Sequence, residues 1–347
     1  MRSVNVRTSQ TAPGERMIFY IESLCTDPCY NLALEQFAFD RLDRKNQYFM
    51  LWQNHQSVIV GKNQNTNAEI NAAFVDANNI RVVRRLSGGG AVYHDLGNLN
   101  WTFISDAGKN GALNFVELCM PIQKALVSFG VPVEIAGRND MTVGGKKISG
   151  SAQYIKEDRV MHHGTLLYDS DLEMLSQSLN VSGDKIESKG IKSVKSRVTN
   201  IRPSMKIDMP IKAFWTNLKN YMFDLFDMEE YKLTIAEKAE VQRLKEQVYS
   251  QWSWNFGTSP PYNVRKTRRI AGCGNLEILL DVGEEGVINN ITFYGDFFGS
   301  KATDDLAVVL TGHRLEYNEL KTLLSTINIS QYFHALDTAT FLALLLE

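Results

Sequence analysis

The composition is that of a globular protein without a strong charge bias. The chain has 347 residues, with 37 Lys and Arg against 39 Asp and Glu, and a formal net charge of -2. This balance argues against a protein that coats nucleic acid, although it leaves room for a local basic patch. The length suits two domains of about 150 residues each, and no apolar run approaches the ~20 residues that cross a bilayer. We therefore expect neither nucleic acid nor a membrane among its partners.

Four cysteines, at positions 25, 29, 119 and 273, are few and irregularly spaced. Such usage is typical of a reducing compartment. Cys25 and Cys29 have no second pair or nearby histidine, which favours two unrelated thiols over a zinc site. Residues 1–16 are polar and lack the apolar stretch of a secretion signal. We interpret them as a disordered tail, with a targeting peptide as the alternative, and expect cytoplasmic residence.

Hydrophobic spacing divides the first part of the chain into strands and helices. Asp27 and Pro28 predict the N-cap and first position of an amphipathic helix. Residues 48–53 and 57–61 are predicted to form paired strands. The other predicted elements are strands at 17–21, 80–86 and 98–105, helices at 28–43, 68–78 and 115–129, and short strands with tight turns over 131–168. Because strands and helices interleave without a regular βαβ repeat, we expect an α/β (α+β) fold with mixed β-sheets flanked by helices.

A capping box and a turn-rich stretch mark the end of this first domain. Thr234 is followed three residues later by Glu237, which predicts the start of a helix of about 16 residues. Residues 251–261 contain two tryptophans and two prolines, and we interpret them as a linker. The predicted domains are therefore residues 17–250 and residues 262–347. The second is a small α+β unit with strands at 264–270, 275–281 and 286–294 and helices at 306–310, 320–327 and 341–346.

Three successive glycines at 88–90 lie between the pair Arg84 and Arg85 and the pair His94 and Asp95. Such a triplet disfavours helix and strand but lets several backbone N–H groups approach one anion. The arginines add the charge that recognises phosphate or carboxylate. We predict an anion site here, against the alternative of a flexible turn with solvated arginines. Neither the dinucleotide fingerprint nor the P-loop pattern is present.

A second glycine-rich segment predicts a β-hairpin. With Gly144 and Gly145 as its turn, Val143 faces Lys146, Thr142 faces Lys147 and Asp140 faces Ser149. Alternation then puts Asp140, Thr142, Lys147 and Ser149 on one polar face, which selects Lys147 over Lys146 as the active lysine. The alternative is an exposed hairpin with an ordinary ion pair, and a one-residue slip would invert the choice.

Three further segments carry weaker signals. Adjacent histidines in a strand point to opposite faces, so we expect one of the pair to face a site and His162 to be a satisfied surface or core histidine. Residues 188–200 are basic and serine-rich, typical of either a solvated loop or a lid over phosphates. The basic run from Arg265 to Arg269 suits a solvated strand face better than an acidic partner.

These motifs, in this order, resemble the lipoate-protein ligase A family. The specific part is the tandem of Arg-Arg-x-Ser-Gly-Gly-Gly from Arg84 with Lys-x-Ser-Gly-Ser-Ala from Lys147. The resemblance extends over residues 17–347 and is strongest from 30 to 200. It implies a biotin/lipoate ligase-like catalytic domain at 17–250, which binds lipoate and ATP, and a small accessory domain at 262–347.

The resemblance implies a two-step reaction. The carboxylate of lipoate, or of octanoate, attacks the α-phosphorus of ATP, with Mg2+ present, to give lipoyl-AMP and pyrophosphate. The acyl group then passes to a lysine of apo lipoyl domains in 2-oxo-acid dehydrogenase complexes or of the glycine-cleavage H protein. We expect the enzyme to be a monomer.

The family motif also implies roles for matching residues. Lys147 matches the catalytic lysine that touches both phosphate and lipoyl carbonyl, and Asn139 and Asp140 match a pair that orders Mg2+ or the adenylate, with Asp140 the candidate metal ligand. The residues implied for ATP and adenylate are Arg85, Ser87, Gly90, Ala91, Val92, Tyr93, Asn139, Asp140 and Lys147. Those implied for lipoate are Leu32, Leu34, Glu35, Trp52, Arg84, Ser87, Gly89, His94, Lys147 and Ser149. Residues 189–200 resemble the adenylate-covering loop.

Four alternatives stay open at this point. An octanoyltransferase would use a cysteine nucleophile near the hairpin, but residues 131–152 contain none. An ATP-independent amidotransferase that uses preformed adenylate or a lipoylated donor protein would keep Lys147. A biotin ligase fits less well around the arginine and glycine motif. A non-catalytic module would use the glycine loop as a plain anion site and the basic run as its docking face.

Overall fold

A computed structural model describes residues 17–107, 115–137, 139–180, 197–257, 262–283 and 286–346. The interpretations of residues 1–16 and of most of the basic loop, 188–196, lie outside these ranges. No helix in the described part is both long and apolar enough to span a bilayer.

The strands are β1 (Ile18–Ser23), β2 (Gln47–Trp52), β3 (Ser57–Val60), β4 (Arg81–Arg84), β5 (Val92–His94), β6 (Asn98–Asp106), β7 (Glu134–Ala136), β8 (Asp140–Val143), β9 (Lys146–Lys156), β10 (Arg159–Leu167), β11 (Met228–Glu230), β12 (Val264–Ile270), β13 (Gly274–Val282) and β14 (Ile288–Gly295). The α-helices are α1 (Pro28–Arg41), α2 (Thr66–Glu69), α3 (Ala72–Ala77), α4 (Phe115–Ser128), α5 (Leu172–Ser178), α6 (Ile211–Leu225), α7 (Ile235–Leu244), α8 (Trp252–Asn255), α9 (Thr303–Leu310), α10 (Tyr317–Leu324) and α11 (Thr338–Leu346).

A mixed eight-stranded sheet forms the centre of the molecule, in the order β11-β1-β2-β6-β10-β9-β8-β7. β1 is parallel to β2 and β11, and the other pairs are antiparallel. Phe49 and Leu51 of β2 pack with residues of α4 and α6, whereas Met50 and Trp52 pack with α1. Alternate side chains therefore enter two cores, one on each face of the sheet. The expected mixed sheet flanked by helices is confirmed.

The predicted starts of two helices are confirmed by their caps. The Asp27 carboxylate accepts a hydrogen bond from the Cys29 N–H at 2.9 Å, with Pro28 at the start of α1. At α7 the Thr234 hydroxyl accepts from the Glu237 N–H at 3.2 Å, and the Glu237 carboxylate accepts from the Thr234 N–H at 2.8 Å. These reciprocal bonds satisfy N–H groups that have no partner within the helix.

The predicted pairing of residues 48–53 with 57–61 is wrong. β2 lies between β1 and β6, whereas β3 belongs to a separate three-stranded sheet in the order β4-β3-β5. All four residues of β3 are buried, so its backbone groups need a neighbour on each side, and β4 and β5 supply them. The short connection between β2 and β3 crosses from one sheet to the other.

The C-terminal part has its own sheet, β12-β13-β14, and its own apolar core. Leu276, Ile278 and Leu280 of β13 pack there with residues of α9, α10 and α11. It also touches the first part of the chain: the Gly295 N–H donates to the Asn63 carbonyl at 2.8 Å, and Phe298 packs with Phe115. The domain boundary at 251–261 remains a prediction, and residues 258–261 of it lie outside the described ranges.

Candidate active site

A cavity of about 750 Å³ lies where β5, β9 and β10 meet the C-terminal part. Most residues that the sequence assigns to ATP or lipoate line it, whereas Leu34, Glu35, Arg84, Ser87 and Ser149 do not. Leu34 is a residue of α1 and packs into the core between this helix and the large sheet. The assigned residues that line the cavity are Leu32, Trp52, Arg85, Gly89, Gly90, Ala91, Val92, Tyr93, His94, Asn139, Asp140 and Lys147.

The hairpin of β8 and β9 has the predicted register only near its turn. Val143 faces Lys146 and Thr142 faces Lys147, but a β-bulge follows, so that Met141 faces Ser149 and Asp140 faces Gly150. The extra residue of a bulge shifts the pairing beyond it by one position. The predicted placement of Ser149 on the cavity face is therefore wrong, because Ser149 is buried outside the cavity lining.

Lys147 points into the cavity, and its amine lies 2.7 Å from Oδ1 of Asp140. Gly150 makes room for it, since a Cβ at position 150 would lie 2.7 Å from the lysine Nζ. Lys146 is exposed and does not line the cavity. The backbone N–H of Lys147 donates to the Arg197 carbonyl at 2.8 Å. The described end of the basic segment, residues 197–200, thus runs beside Lys147.

Arg85 holds the glycine loop from inside. Its guanidinium donates to the hydroxyl of Ser87 at 3.0 Å and to the carbonyls of Gly88, Gly90 and Ile59 at 2.7, 2.8 and 3.0 Å. Because a guanidinium has five N–H groups, most of its donors are already used. Burial lowers the pKa of Arg85 to about 10, so the group stays cationic at neutral pH. Arg85 therefore shapes the loop and adds positive charge beneath it.

Arg84 points away from the cavity because successive strand residues face opposite sides. Its guanidinium donates to the carbonyls of Gly61, Gln64 and Trp254 at 2.8, 2.7 and 2.9 Å. It also donates to the Thr66 hydroxyl at 2.6 Å. Arg84 thus ties the segment after β3 to α8 and is placed behind the predicted lipoyl wall rather than in it.

A chain of buried hydrogen bonds connects Glu35 to the glycine loop. Nδ1 of His163 lies 2.9 Å from Oε1 of Glu35, and Nε2 lies 2.6 Å from the Ser87 hydroxyl. Glu35 also accepts from the Thr102 hydroxyl at 2.5 Å. Because a carboxylate only accepts, Nδ1 carries a proton and the imidazole is held against the cavity, which it lines. The residues assigned from the sequence do not include His163, although the alternation of adjacent histidines in a strand pointed to one of the pair.

His162 faces the opposite side and lies in the core, as predicted, but its Nδ1 is buried without a hydrogen-bond partner among the described residues, so it is not the satisfied histidine that was expected. It is fully buried among aromatic rings, 4.9 Å from Trp101 and 5.7 Å from Phe115 between ring centroids. Its Nε2 lies 3.3 Å from Sγ of Cys119. Burial lowers the pKa of His162 to about 3 and raises the pKa of Cys119 to about 11, so both are neutral at pH 7. A neutral thiol behind the wall is a poor nucleophile.

The C-terminal part closes one side of the cavity, which the sequence did not reveal. Arg269 and Asp296 line it together with the turn between β12 and β13. A Cβ at position 88 would lie 2.4 Å from the carbonyl oxygen of Phe297. Gly88 is therefore required by contact with the C-terminal part, whereas a Cβ at Gly90 would meet nothing within 4 Å.

The described residues contain no group of three or more His, Cys, Asp or Glu side chains arranged to hold a metal. The four cysteines are free thiols, and the carboxylate of Asp140 faces the cavity beside Lys147. Mg2+ often uses only one or two protein carboxylates together with phosphate oxygens. Asp140 fits that mode and would need a phosphate ligand to complete it.

Comparison with known proteins identifies relatives over nearly the whole chain. Residues 27–223 match the family model of the lipoyl protein ligase A/B catalytic domain, and residues 259–345 match that of the bacterial lipoate protein ligase C-terminus. Lipoate-protein ligase LplJ of Bacillus subtilis is 40% identical over 332 residues, which cover 95% of this chain and 100% of that protein. Lipoate–protein ligase 1 of Staphylococcus aureus is 41% identical, covering 92% of this chain and 97% of that protein.

Solved structures share the fold. LipL1 of P. falciparum in complex with lipoate superposes with a TM-score of 0.77 at 23% identity, covering 94% of this chain and 97% of that one. A bipartite lipoate protein ligase from Thermoplasma acidophilum gives a TM-score of 0.60 at 25% identity, covering 72% and 100%. A lipoate-protein ligase A bound with ATP gives 0.58 at 23% identity, covering 70% and 99%.

Proposed function

The chain belongs to the lipoate-protein ligase family, and from this premise we propose that its cavity joins lipoate to ATP and passes the lipoyl group to a protein. In the first step a carboxylate oxygen of lipoate bonds to the α-phosphorus of ATP while the bond to the bridging oxygen breaks and pyrophosphate leaves. In the second, a lysine amine bonds to the acyl carbon, AMP leaves and the amine loses a proton. The placement of Lys147 in the cavity carries the proposal.

The charge of the site suits both steps. Two anions must meet for the first bond to form, and a cation held between them offsets their repulsion. Asp140 and the space left by Gly150 orient the Lys147 amine within the cavity. Arg85 adds a second buried cation beneath the loop. Lys147 is thus suited to stabilise charge that develops on the phosphate and on the acyl carbonyl.

We assign Asp140 as the carboxylate that would hold Mg2+ when ATP is bound. The ion would neutralise negative charge on the phosphates.

The protein acceptor is an apo lipoyl domain of a 2-oxo-acid dehydrogenase complex or the glycine-cleavage H protein. The enzyme acts as a monomer. Relatives bearing the name lipoate-protein ligase support this acceptor class, and the bipartite ligase of Thermoplasma acidophilum belongs to a lipoylation system with an E2 lipoyl domain.

Pyrophosphate release from ATP, with and without lipoate, tests the proposal. We expect Lys147→Ala to lower lipoyl-AMP formation by more than about a hundredfold, because the developing charge loses its counter-ion. Lys146→Ala is the matched control, since Lys146 is exposed on the same turn and lies outside the cavity lining. It should keep activity within about twofold of the parent chain, as expected of an exposed charge.

Three outcomes would contradict the proposal. Normal adenylate formation by Lys147→Ala removes the lysine assignment, and equal losses in both variants remove its specificity. If the parent chain releases no pyrophosphate but consumes supplied lipoyl-AMP, the protein is an amidotransferase instead. Circular dichroism of both variants checks that the fold is intact.

A further inference from the structure

The two halves of β9 have different neighbours on the edge opposite β8. Strand β10 pairs with β9 from Ser151 to Lys156. At Lys147 the neighbour is instead the chain at 197–201, here called the clamp segment. The Lys147 N–H donates to the Arg197 carbonyl at 2.8 Å, and the Thr199 N–H donates to the Lys147 carbonyl at 2.9 Å. Both backbone polar groups of Lys147 are therefore held by the clamp segment.

These two backbone groups of Lys147 point away from β8. In an antiparallel pair, a residue either exchanges both of its hydrogen bonds with the residue opposite or exchanges none. Because the N–H and C=O of Lys147 both bond to the clamp segment, its pairing with Thr142 of β8 is of the second kind. Without the clamp segment these groups would lose their protein partners, and the backbone of Lys147 would be held less firmly.

An asparagine side chain fixes the clamp segment to the chain that follows β10. Oδ1 of Asn200 accepts from the Ser170 N–H at 3.1 Å, and Nδ2 of Asn200 donates to the Ser170 carbonyl at 2.9 Å. The side-chain amide thus copies the two-bond pairing of neighbouring strands. The next residue, Ile201, is fully buried, and its N–H donates to the carbonyl of Leu167 at 2.7 Å. The anchored end of the clamp segment therefore lies directly beside Thr199.

Lys147 is fixed at two points, the amine and the backbone. The amine lies 2.7 Å from Oδ1 of Asp140, and the backbone carbonyl accepts from Thr199. Because the side chain between these points is flexible, a shift of the backbone changes where the amine can lie. A displacement of ~1 Å at a reacting group can lower a rate by roughly a hundredfold. The contact with Thr199 therefore bears directly on catalysis by the amine.

We propose that Asn200 is a positioning residue for adenylate formation, because it holds the clamp segment where Thr199 can fix the backbone of Lys147. The inference rests on the proposed function and extends it to residues outside the cavity lining. Since neither Asn200 nor Thr199 lines the cavity, losing this hold should change how fast lipoate and ATP react and not how tightly they bind. A segment that only covered the nucleotide would instead affect the binding of ATP.

Asn200→Ala removes both hydrogen bonds to Ser170. In steady-state pyrophosphate release by the full chain, kcat should fall by about tenfold or more, with KM for lipoate and for ATP kept within about twofold. Asn263→Ala is the matched control, because Asn263 makes the same pair of bonds with the backbone of Val282, at 2.9 and 2.6 Å, and does not line the cavity. Its kcat should stay within about twofold of the parent chain. An equal fall in both variants would reflect lost stability and overturn the inference.

Two substitutions at Thr199 test the bond to Lys147 without changing Asn200. Thr199→Pro removes the N–H that donates to the Lys147 carbonyl, whereas Thr199→Ala keeps it. We expect kcat of Thr199→Pro to be at least about fivefold below that of Thr199→Ala, with similar KM values. This comparison applies even if Asn200→Ala folds poorly. Equal kcat values in the two variants would refute the hold on Lys147.

Hydrogen exchange at the Lys147 amide reports on the clamp segment without any catalysis. In Asn200→Ala this amide should exchange at least about tenfold faster than in the parent chain, because its acceptor on Arg197 is no longer held. Exchange over residues 152–156, where β9 pairs with β10, should stay unchanged.

Three results would overturn the inference. These are unchanged exchange at Lys147 in Asn200→Ala, unchanged kcat in this variant, and a higher KM for ATP at an unchanged kcat, which would identify a covering role instead. An active parent chain with an equally active Asn200→Ala refutes this inference alone. A parent chain that releases no pyrophosphate refutes the proposed function together with it.

Discussion

At the scale of single residues, the two cations of the site have different roles: Arg85 holds the glycine loop and Lys147 faces the cavity. The guanidinium of Arg85 binds the glycine loop at the Ser87 hydroxyl and two loop carbonyls. The protein itself thus holds the loop in shape, which would limit the entropy lost if the nucleotide binds there as proposed. The amine of Lys147 has one carboxylate partner and faces the cavity. The sequence identifies both residues as functional candidates, and the structure shows that Arg85 is bound to the loop whereas Lys147 faces the cavity.

Gly150 offers a prediction at this scale. A Cβ at position 150 would lie 2.7 Å from Nζ and 2.8 Å from Cε of Lys147, so Gly150→Ala must displace the amine. We expect adenylate formation to fall by about tenfold or more, since a misplaced catalytic group loses much of its effect. Because the flexible end of the lysine can move, the free energy of unfolding in urea should change by less than about 1 kcal/mol.

Gly144→Ala is the opposite control on the same hairpin. Gly144 has a φ of 55°, and a Cβ there would meet nothing within 4 Å. Alanine is strained at positive φ, so stability should fall by about 1 kcal/mol while adenylate formation is retained. Equal activity losses in the two variants would contradict the role assigned to Gly150.

At the scale of elements, β9 and β10 build both the site and the core behind it. The bulge in β9 puts Gly150 rather than Ser149 opposite Asp140. On β10, His163 faces the cavity and His162 faces the aromatic core. Strict alternation predicts the histidines correctly because no bulge interrupts that strand pairing. It fails for the hairpin since a bulge depends on contacts that the local pattern does not contain.

Buried His162, in β10, makes the free energy of unfolding depend on pH. The pKa of His162 is about 3 in the folded protein and about 6.5 when exposed. Below pH 6.5 the unfolded chain therefore takes up a proton that the folded chain does not, and stability falls as the pH falls. From pH 7 to 5, the free energy of unfolding in urea should decrease, with His162 contributing up to about 1.4 kcal/mol per pH unit.

His162→Phe removes this proton uptake. The variant should lose some stability at pH 7, because the contact with Cys119 is lost, but its stability should depend less steeply on pH between 6.5 and 5. His94, whose pKa is also lowered to about 3, remains to contribute a similar slope. Identical slopes in the parent chain and the variant would show that His162 does not titrate in this way.

At the scale of the whole molecule, the C-terminal part packs directly on the glycine loop. A Cβ at Gly89 would lie 3.0 Å from Cζ of Phe298, whose ring is 5.1 Å from that of Phe115. Arg269 and Asp296 extend the cavity wall from the same side. The cavity is therefore built by both parts of the chain. Any motion of one part against the other would change the shape of the site.

Phe298→Ala tests this coupling. The variant removes the ring that packs on Gly89, so we expect faster hydrogen exchange at residues 88–90 and a fall in adenylate formation of about tenfold. Phe341→Leu is the control, because Phe341 lies in the separate C-terminal core. It should lower stability by about 1 kcal/mol without changing exchange at the loop. If loop exchange is unchanged in Phe298→Ala, the two parts are not coupled through this contact.

The sequence by itself determined most element types, the helix starts at Asp27 and Thr234 and the mixed sheet class, because spacing and caps act within a few residues. It predicted no element over residues 169–233, where α5, α6 and β11 lie. It also singled out Lys147, since strand alternation near a tight turn is local. Only the tertiary structure decided that β3 leaves the large sheet, that a bulge turns Ser149 away and that Arg84 lies behind the wall. The wall from the C-terminal part belongs to the same group. Each depends on partners far away in sequence, which no short pattern encodes.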